Sequence, residues 1–423
     1  MVDLIEARVV VIGSGPAGIA AACAAAESGG RVLLVDGQSE PGGAIWRGAW
    51  TGRVPAADPA PVWFDRLRRA PVETAFDTTI VGRVGPHRLL AAREHRSIEI
   101  RYDRLILATG ARELLLPFPG WTLPGVVGAG ALQLLVKNGL PIAGARVAVV
   151  GSGPLLPAVA ASLRARGASI AVLIEQASWR ALARFAGHLM VGHFSKFRQA
   201  LALKRAIRGT AYRAGCWPRA AVGEDRVRSI VFTDGVHLRE EPCDWVACGF
   251  GLVPNLELAA MLGCGIRDGR LTVDDHQEST QEGVFGAGEL CGVGGVDLAL
   301  ALGRIAGHAS VGDRVRAERW MSLRDKHRRL ATRLEHTFRL RSELERLCEP
   351  ETIVCRCEDV PFGSLRGAAS ARDAKLATRC GMGPCQGRIC GPATERLFGW
   401  TDRSGRPPLV PIRLDALADP PDS

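Results

Sequence analysis

Two β-α-β units, each with a glycine turn, and a cysteine-crowded C-terminal segment predict an α/β protein. It has two Rossmann-like domains followed by a small helical module. The first unit opens with the apolar run 8–12 (RVVVI), read as a buried parallel strand, and turns at Gly13-Ser14-Gly15-Pro16-Ala17-Gly18. An alanine-rich helix then runs to about Glu27, and a second strand, 31–35 (RVLLV), ends in Asp36. The second unit repeats the pattern. Strand 145–150 (ARVAVV) leads into Gly151-Ser152-Gly153-Pro154-Leu155-Leu156-Pro157, a helix over 158–166, and strand 170–174 (IAVLI) ending in Glu175. Beyond 320 the texture changes: 314–349 is charged and helix-prone like a linker, 350–400 is rich in Cys and Gly, and the proline-bearing 401–423 predicts an extended tail.

Composition narrows the class. A chain of 423 residues exceeds one compact core, and 47% hydrophobic residues supply several. No run of about eighteen uncharged apolar residues predicts a membrane span, and Met1 leads straight to a strand with no basic signal region, so a cytoplasmic location is expected. The net charge of +10 falls mostly on arginines in 180–219 and 314–346, both helical in texture. Without an aromatic platform or a nucleic-acid-binding motif, these stretches read as solvated faces or a protein-docking surface.

A lone G-x-G-x-x-G says little, but this one lies between a strand and a helix with an acid closing the next strand. Gly13 permits the tight turn, Gly15 lets the backbone approach a pyrophosphate, and Gly18 lets helix and strand pack closely. The free N–H groups at the helix start, around Pro16 and Ala17, favour phosphate, and Asp36 is placed to accept from an adenosine ribose.

Three further features choose the ligand. Gly42-Gly43 follows the second strand, 104–110 (RLILATG) ends in Thr109-Gly110, and 280–289 (TQEGVFGAGE) ends in Gly288-Glu289. In order and spacing over 8–310 these resemble the FAD motifs of the FAD/NAD-linked oxidoreductases of the glutathione reductase and thioredoxin reductase type. The resemblance implies FAD over 1–120 and 268–313, with a second, NAD-like domain over 121–267. It also places the Val81 backbone at adenine. That family's last motif ends in Gly-Asp, and Glu289 stands in with one methylene more. Its disulfide reductases need a redox-active pair near the flavin, as C-x-x-C or C-x-x-x-x-C. None is read before residue 350, and that activity is set aside.

The second turn is degenerate. Leu156 replaces the third glycine and should crowd the helix–strand contact that brings a pyrophosphate close. Gly151, Gly153 and Glu175 still suit an adenine nucleotide, so NAD(H), another nucleotide or a retained scaffold all stay open.

Twelve cysteines are many for a compartment that keeps thiols reduced, and half lie in the last fifth of the chain. Cys355-Arg356-Cys357 and Cys385-Gln386-Gly387-Arg388-Ile389-Cys390 offer four thiolates from two turns. That set suits a [2Fe–2S] cluster, C-x-C serving one iron and C-x₄-C the other. Zinc is the rival, although it more often takes C-x₂-C at both ends. The segments 354–358 (VCRCE) and 378–391 (TRCGMGPCQGRICG) resemble the small helical [2Fe–2S] domain of the bacterioferritin-associated ferredoxin type. Cys380 is not usually cysteine in that pattern and is read as a non-ligand. Cys23, Cys216, Cys243, Cys248, Cys264 and Cys291 read as small core residues.

Together the FAD motifs, the degenerate GSGPLLP and the VCRCE…GMGPCQGRIC module resemble one group over nearly the whole chain. These are the larger FAD/iron–sulfur subunits of multimeric amine dehydrogenases: opine oxidases, D-hydroxyproline and proline dehydrogenases, and hydrogen cyanide synthase. The resemblance implies that an amine is oxidised on a separate flavin subunit of the D-amino-acid-oxidase type, with a further small subunit in some complexes. Electrons then cross this chain to a quinone, cytochrome or other acceptor. No catalytic residue is named, since the sequence offers no acidic dyad, no Ser/His/Asp set, and nine scattered histidines. A self-contained NADH-dependent reductase is the alternative, and an assembly scaffold is a third.

Overall fold

The computed structural model describes residues 3–53, 59–94, 96–401 and 406–414. Pro420 and Pro421 of the expected tail lie outside them. The chain divides into two compact units. One comprises Met1–Arg112, Val253–Thr332 and Arg403–Ser423; the other comprises Glu113–Leu252 and Arg333–Asp402. The cysteine module therefore falls in the same unit as the second glycine turn.

In the first unit, Asp3–Ile12 pairs in parallel with Val32–Val35 on one side and Arg96–Leu107 on the other. Val72–Ala75 and Val284–Gly286 extend the parallel set, while Arg88–Arg93 and Thr78–Gly85 complete a seven-stranded sheet with antiparallel pairs. Val9, Val10 and Val11 are fully buried, as continuous apolar strands covered on both faces require. The helix Pro16–Glu27 starts with Pro at its first turn, where the missing N–H costs nothing. Its alanines are buried on nearly every side because a second helix, Val296–Ser310, comes close. Glycines make that approach possible: a Cβ on Gly303 would sit 2.2 Å from the Ala17 carbonyl oxygen, and one on Gly307 2.3 Å from that of Ala21. The described part of the tail packs here too, with Leu409 buried in the unit's core.

In the second unit, five parallel strands run in the order Ala211–Ala214, Ser169–Glu175, Arg146–Gly151, Trp245–Gly249, Val126–Gly128. A three-stranded antiparallel sheet, Trp217–Gly223, Val227–Thr233 and Leu238–Pro242, follows. The cysteine module has its own small core of Val354, Val360, Leu365 and Ala374 with three of the cysteines. Its helices are Phe362–Leu365, Ala371–Thr378 and Cys390–Phe398. Among the described residues no helix is long and apolar enough to cross a membrane.

Candidate cofactor sites

The first glycine turn is built around one open position. A Cβ on Gly13, which sits at φ +104°, would lie 2.3 Å from the Ala108 carbonyl oxygen, and one on Gly18 would lie 1.7 Å from that of Gly13. Those two glycines let strand, turn and helix interlock. Gly15 differs: a Cβ there would meet nothing within 4 Å, which leaves the room a pyrophosphate needs beside the helix start. Gly43 closes over it, a Cβ there standing 3.0 Å from the Gly15 Cα. Asp36 fixes the turn, its carboxylate accepting from the Ser14 N–H at 2.6 Å, the Ser14 hydroxyl at 2.7 Å and the Gln38 N–H at 2.9 Å. It stays half-exposed, so it can also meet a ribose.

The other predicted FAD residues come from three further segments of this unit. Thr109 is clamped to Asn255 by reciprocal 2.8 Å bonds, hydroxyl to carbonyl and amide to carbonyl, and Gly110 accepts from the Asn255 N–H. Gly288, at φ +78°, has no space for a side chain, since a Cβ would sit 2.7 Å from that of Ala17. Glu289 follows in a 3₁₀ turn, Gly288–Cys291, and burial pushes its carboxyl upward. Arg47, beyond the Gly42-Gly43 pair, holds a buried Nε with no hydrogen-bond partner among the described residues. An unsatisfied buried guanidinium nitrogen suits an anionic ligand, and spacing gave no sign of it. Val81 is a different matter. It lies at a bulge of its strand, and its carbonyl already accepts the Leu409 N–H of the tail at 2.7 Å. That acceptor is therefore shared with the protein's own chain.

The second turn has the same first four residues and a different occupant. Gly151 is held at φ +143°, a Cβ there falling 2.0 Å from the Gly249 carbonyl oxygen. Leu156 is fully buried without the crowding expected of it, because Gly249 on the neighbouring strand leaves the space: a Cβ there would be 2.9 Å from the leucine's Cδ2. Glu175 is turned inward, accepting from the Gly153 N–H and the Ala177 N–H, each at 2.8 Å. Burial pushes its carboxyl up to about 7. Its carboxylate holds two main-chain N–H groups, as that of Asp36 does, but unlike Asp36 it is buried. Around the turn lie residues 338–341 of the same unit. The Ser152 hydroxyl donates to the Phe338 carbonyl at 3.0 Å, and the Gln176 amide donates to that of Arg339 at 2.9 Å and accepts from the Arg341 N–H at 3.0 Å. The Phe338 ring comes 3.9 Å from where a Cβ on Gly153 would be and meets Phe185 edge-on. Ser152, Gln176 and Phe338 had no sequence signal, since each depends on a chain return of more than 160 residues.

In the cysteine module, Cys355, Cys357, Cys385 and Cys390 line one cavity of about 160 Å³ with Leu115, Trp121, Arg356 and Ile389. The two turns pack tightly, a Cβ on Gly383 falling 2.3 Å from that of Cys357. The Gly381 N–H points to the Cys355 sulfur at 3.5 Å, and Cys390 begins a helix, its thiol held upward by the neighbouring Cys380 and by burial. The pairing differs from the one spacing suggested. The Cys357 thiol interacts with the thiol and N–H of Cys385, while Cys355 and Cys390 lie together with Cys380, all three sulfurs within 4.8 Å of one another. Each turn thus gives one sulfur to each pair, because the turns face each other rather than lying side by side. Trp121 and Arg356 anchor the module, the indole donating to the Ile353 carbonyl and the guanidinium to that of Thr122. Arg379 and Glu358 pin the two cysteine turns at 2.7 Å. Four thiols around a partly open, mainly apolar space fit a thiolate-bound metal centre.

A correction concerns disulfide chemistry. One C-x₄-C spacing does precede residue 350, Cys243 and Cys248. Cys243 precedes and Cys248 lies within the strand Trp245–Gly249 of the second unit's sheet, both buried, and burial pushes the Cys243 thiol up to about 12 and that of Cys248 further. Thiols so hard to ionise are poor nucleophiles.

The model of the pyridine nucleotide-disulphide oxidoreductase family matches residues 7–312. The chain belongs to this family. It is an oxidoreductase, and the family supports FAD as its cofactor. It is 31% identical to hydrogen cyanide synthase subunit HcnB of Pseudomonas aeruginosa, over 97% of this chain and 98% of that one. An opine oxidase subunit of Rhizobium meliloti is 33% identical over the same shares. Among solved structures, the L-proline dehydrogenase from P. horikoshii superimposes with a TM-score of 0.70 at 19% identity, covering 99% of this chain and 81% of that one. The relatives are subunits of multimeric enzymes, consistent with a hetero-oligomer for this family member.

Proposed function

We propose that this chain is the electron-transferring FAD/[2Fe–2S] subunit of a hetero-oligomeric dehydrogenase or oxidase acting on an amino acid, imino acid or opine. The observation that carries the reading is the four-thiol cavity, in a chain whose full-length relatives are named as subunits. The C–N bond is oxidised on a partner flavin subunit of the D-amino-acid-oxidase type, and the electrons leave this chain for a quinone, cytochrome or other acceptor. FAD supplies two-electron acceptance and one-electron release when bound, and the protein's part is placement and electrostatics. The Gly15 gap, Asp36, Gly43, Gly288, Glu289 and Arg47 would hold the flavin; Cys355, Cys357, Cys385 and Cys390 would hold the cluster.

The second turn favours this reading over the NADH-dependent reductase. Its hydroxyl and amide are spent on residues 338–341 and its acid is buried, so Gly151, Gly153 and Glu175 serve as scaffold. Reconstitution tests the proposal. This chain and a candidate amine-oxidising flavoprotein of the D-amino-acid-oxidase type are purified separately, mixed with amine under anaerobic conditions, and the absorbance of this chain's cofactors followed. Reduction only in the mixture supports the subunit role. Reduction of this chain by amine alone contradicts it.

A further inference from the structure

Five thiols, not four, stand within reach of a cluster in the cysteine module. Cys380 follows the helix Ala371–Thr378 and is turned inward by Arg379, whose left-handed backbone (φ 65°) caps that helix. The Arg379–Glu358 ion pair ties this turn to the first cysteine motif, and the Cys380 N–H is held by the Thr378 hydroxyl at 3.3 Å. Cys380 is buried, and its sulfur lies within 4.8 Å of those of Cys355 and Cys390. Two thiolates on one tetrahedral metal with bonds of about 2.3 Å stand on the order of 3.8 Å apart. Any two of these three sulfurs can therefore close on one iron after small rotations. Cys357 and Cys385 have no such companion: among the described residues no third thiol, imidazole or carboxylate joins them at that range.

We propose that Cys380 is a reserve ligand for the inner iron, taking the place of Cys355 or Cys390 when either is lost, while Cys357 and Cys385 are irreplaceable. The inference rests on the [2Fe–2S] reading above and adds an asymmetry that the reading does not contain. A conventional set of four ligands makes all four equally necessary. Five sulfurs arranged as three and two make the inner pair redundant.

The test is iron and sulfide content, with the electron paramagnetic resonance spectrum of the reduced cluster, on the full chain purified anaerobically. FAD content serves as the check that the rest of the chain is folded. The variants are Cys355→Ser, Cys390→Ser, Cys380→Ser, Cys357→Ser, Cys385→Ser and the doubles Cys355→Ser/Cys380→Ser and Cys390→Ser/Cys380→Ser. The expected result is two irons per chain in wild type and in Cys380→Ser, with identical spectra. Cys355→Ser and Cys390→Ser keep most of their iron with shifted g-values. Both doubles, Cys357→Ser and Cys385→Ser lose at least tenfold. Either inner single variant emptied to the level of Cys385→Ser overturns the proposal. So does loss of the cluster from Cys380→Ser, which would make Cys380 a primary ligand. Wild type without iron would instead remove the cluster itself, a failure of the earlier reading.

Discussion

The two glycine turns of this chain share the residues Gly-Ser-Gly-Pro, yet the second serine takes a further partner outside the turn. In the first turn the Ser14 hydroxyl donates to Asp36, at the end of the neighbouring strand, and the space beside Gly15 stays open. In the second the Ser152 hydroxyl reaches out to the Phe338 carbonyl, and a phenyl ring stands beside Gly153. The acids differ in the same sense: Asp36 stays half-exposed, whereas Glu175 is buried. A dinucleotide motif is thus a backbone device that can be filled by a ligand or by the chain's own peptide groups. Motif identity does not decide which.

The largest effect expected from this contrast is at Gly18. Gly18→Ala pushes a methyl into the Gly13 carbonyl at 1.7 Å, and it should cost on the order of 3 kcal/mol and abolish retention of FAD. Denaturant unfolding and flavin content after gel filtration check both parts. Gln176→Ala comes next. It leaves the Arg339 carbonyl and the Arg341 N–H without their partner, at a cost of about 1–3 kcal/mol in the second unit, and leaves flavin content unchanged. Limited proteolysis within 338–341 should accelerate in the variant, and an unchanged rate would mean the segment is held by other contacts.

A smaller effect is confined to pH. Glu175 has its carboxyl raised from 4.5 to about 7, so the folded protein keeps a proton that the unfolded chain gives up. Its contribution is fully present below about pH 4.5 and is lost as pH rises through about 7. Glu175→Gln should flatten that part of the pH–stability profile, measured by urea midpoints at several pH values. A slope unchanged by the substitution would place the titration elsewhere.

Much of this was legible in sequence, because strands 8–12 and 145–150 are continuous apolar runs that only a covered parallel sheet accommodates. The interlocking of Gly13 and Gly18 and the convergence of four cysteines also follow from spacing. Leu156 misled, since the glycine that relieves it, Gly249, stands on another strand. The pairing of Cys355 with Cys390 was hidden because spacing along the chain does not say how two turns face each other. Residues 338–341 were read as part of a linker, and nothing local marks a peptide that will complete a distant turn. Long-range returns of main chain leave no periodicity to read.

The most direct measurement is an anaerobic titration of the purified chain with NADH while the flavin absorbance is followed. No bleaching by NADH, with full bleaching by dithionite, is the result expected if the second turn is filled by the protein itself and electrons arrive from a partner flavoprotein. Rapid stoichiometric bleaching by NADH would contradict that account and make the chain a reductase in its own right.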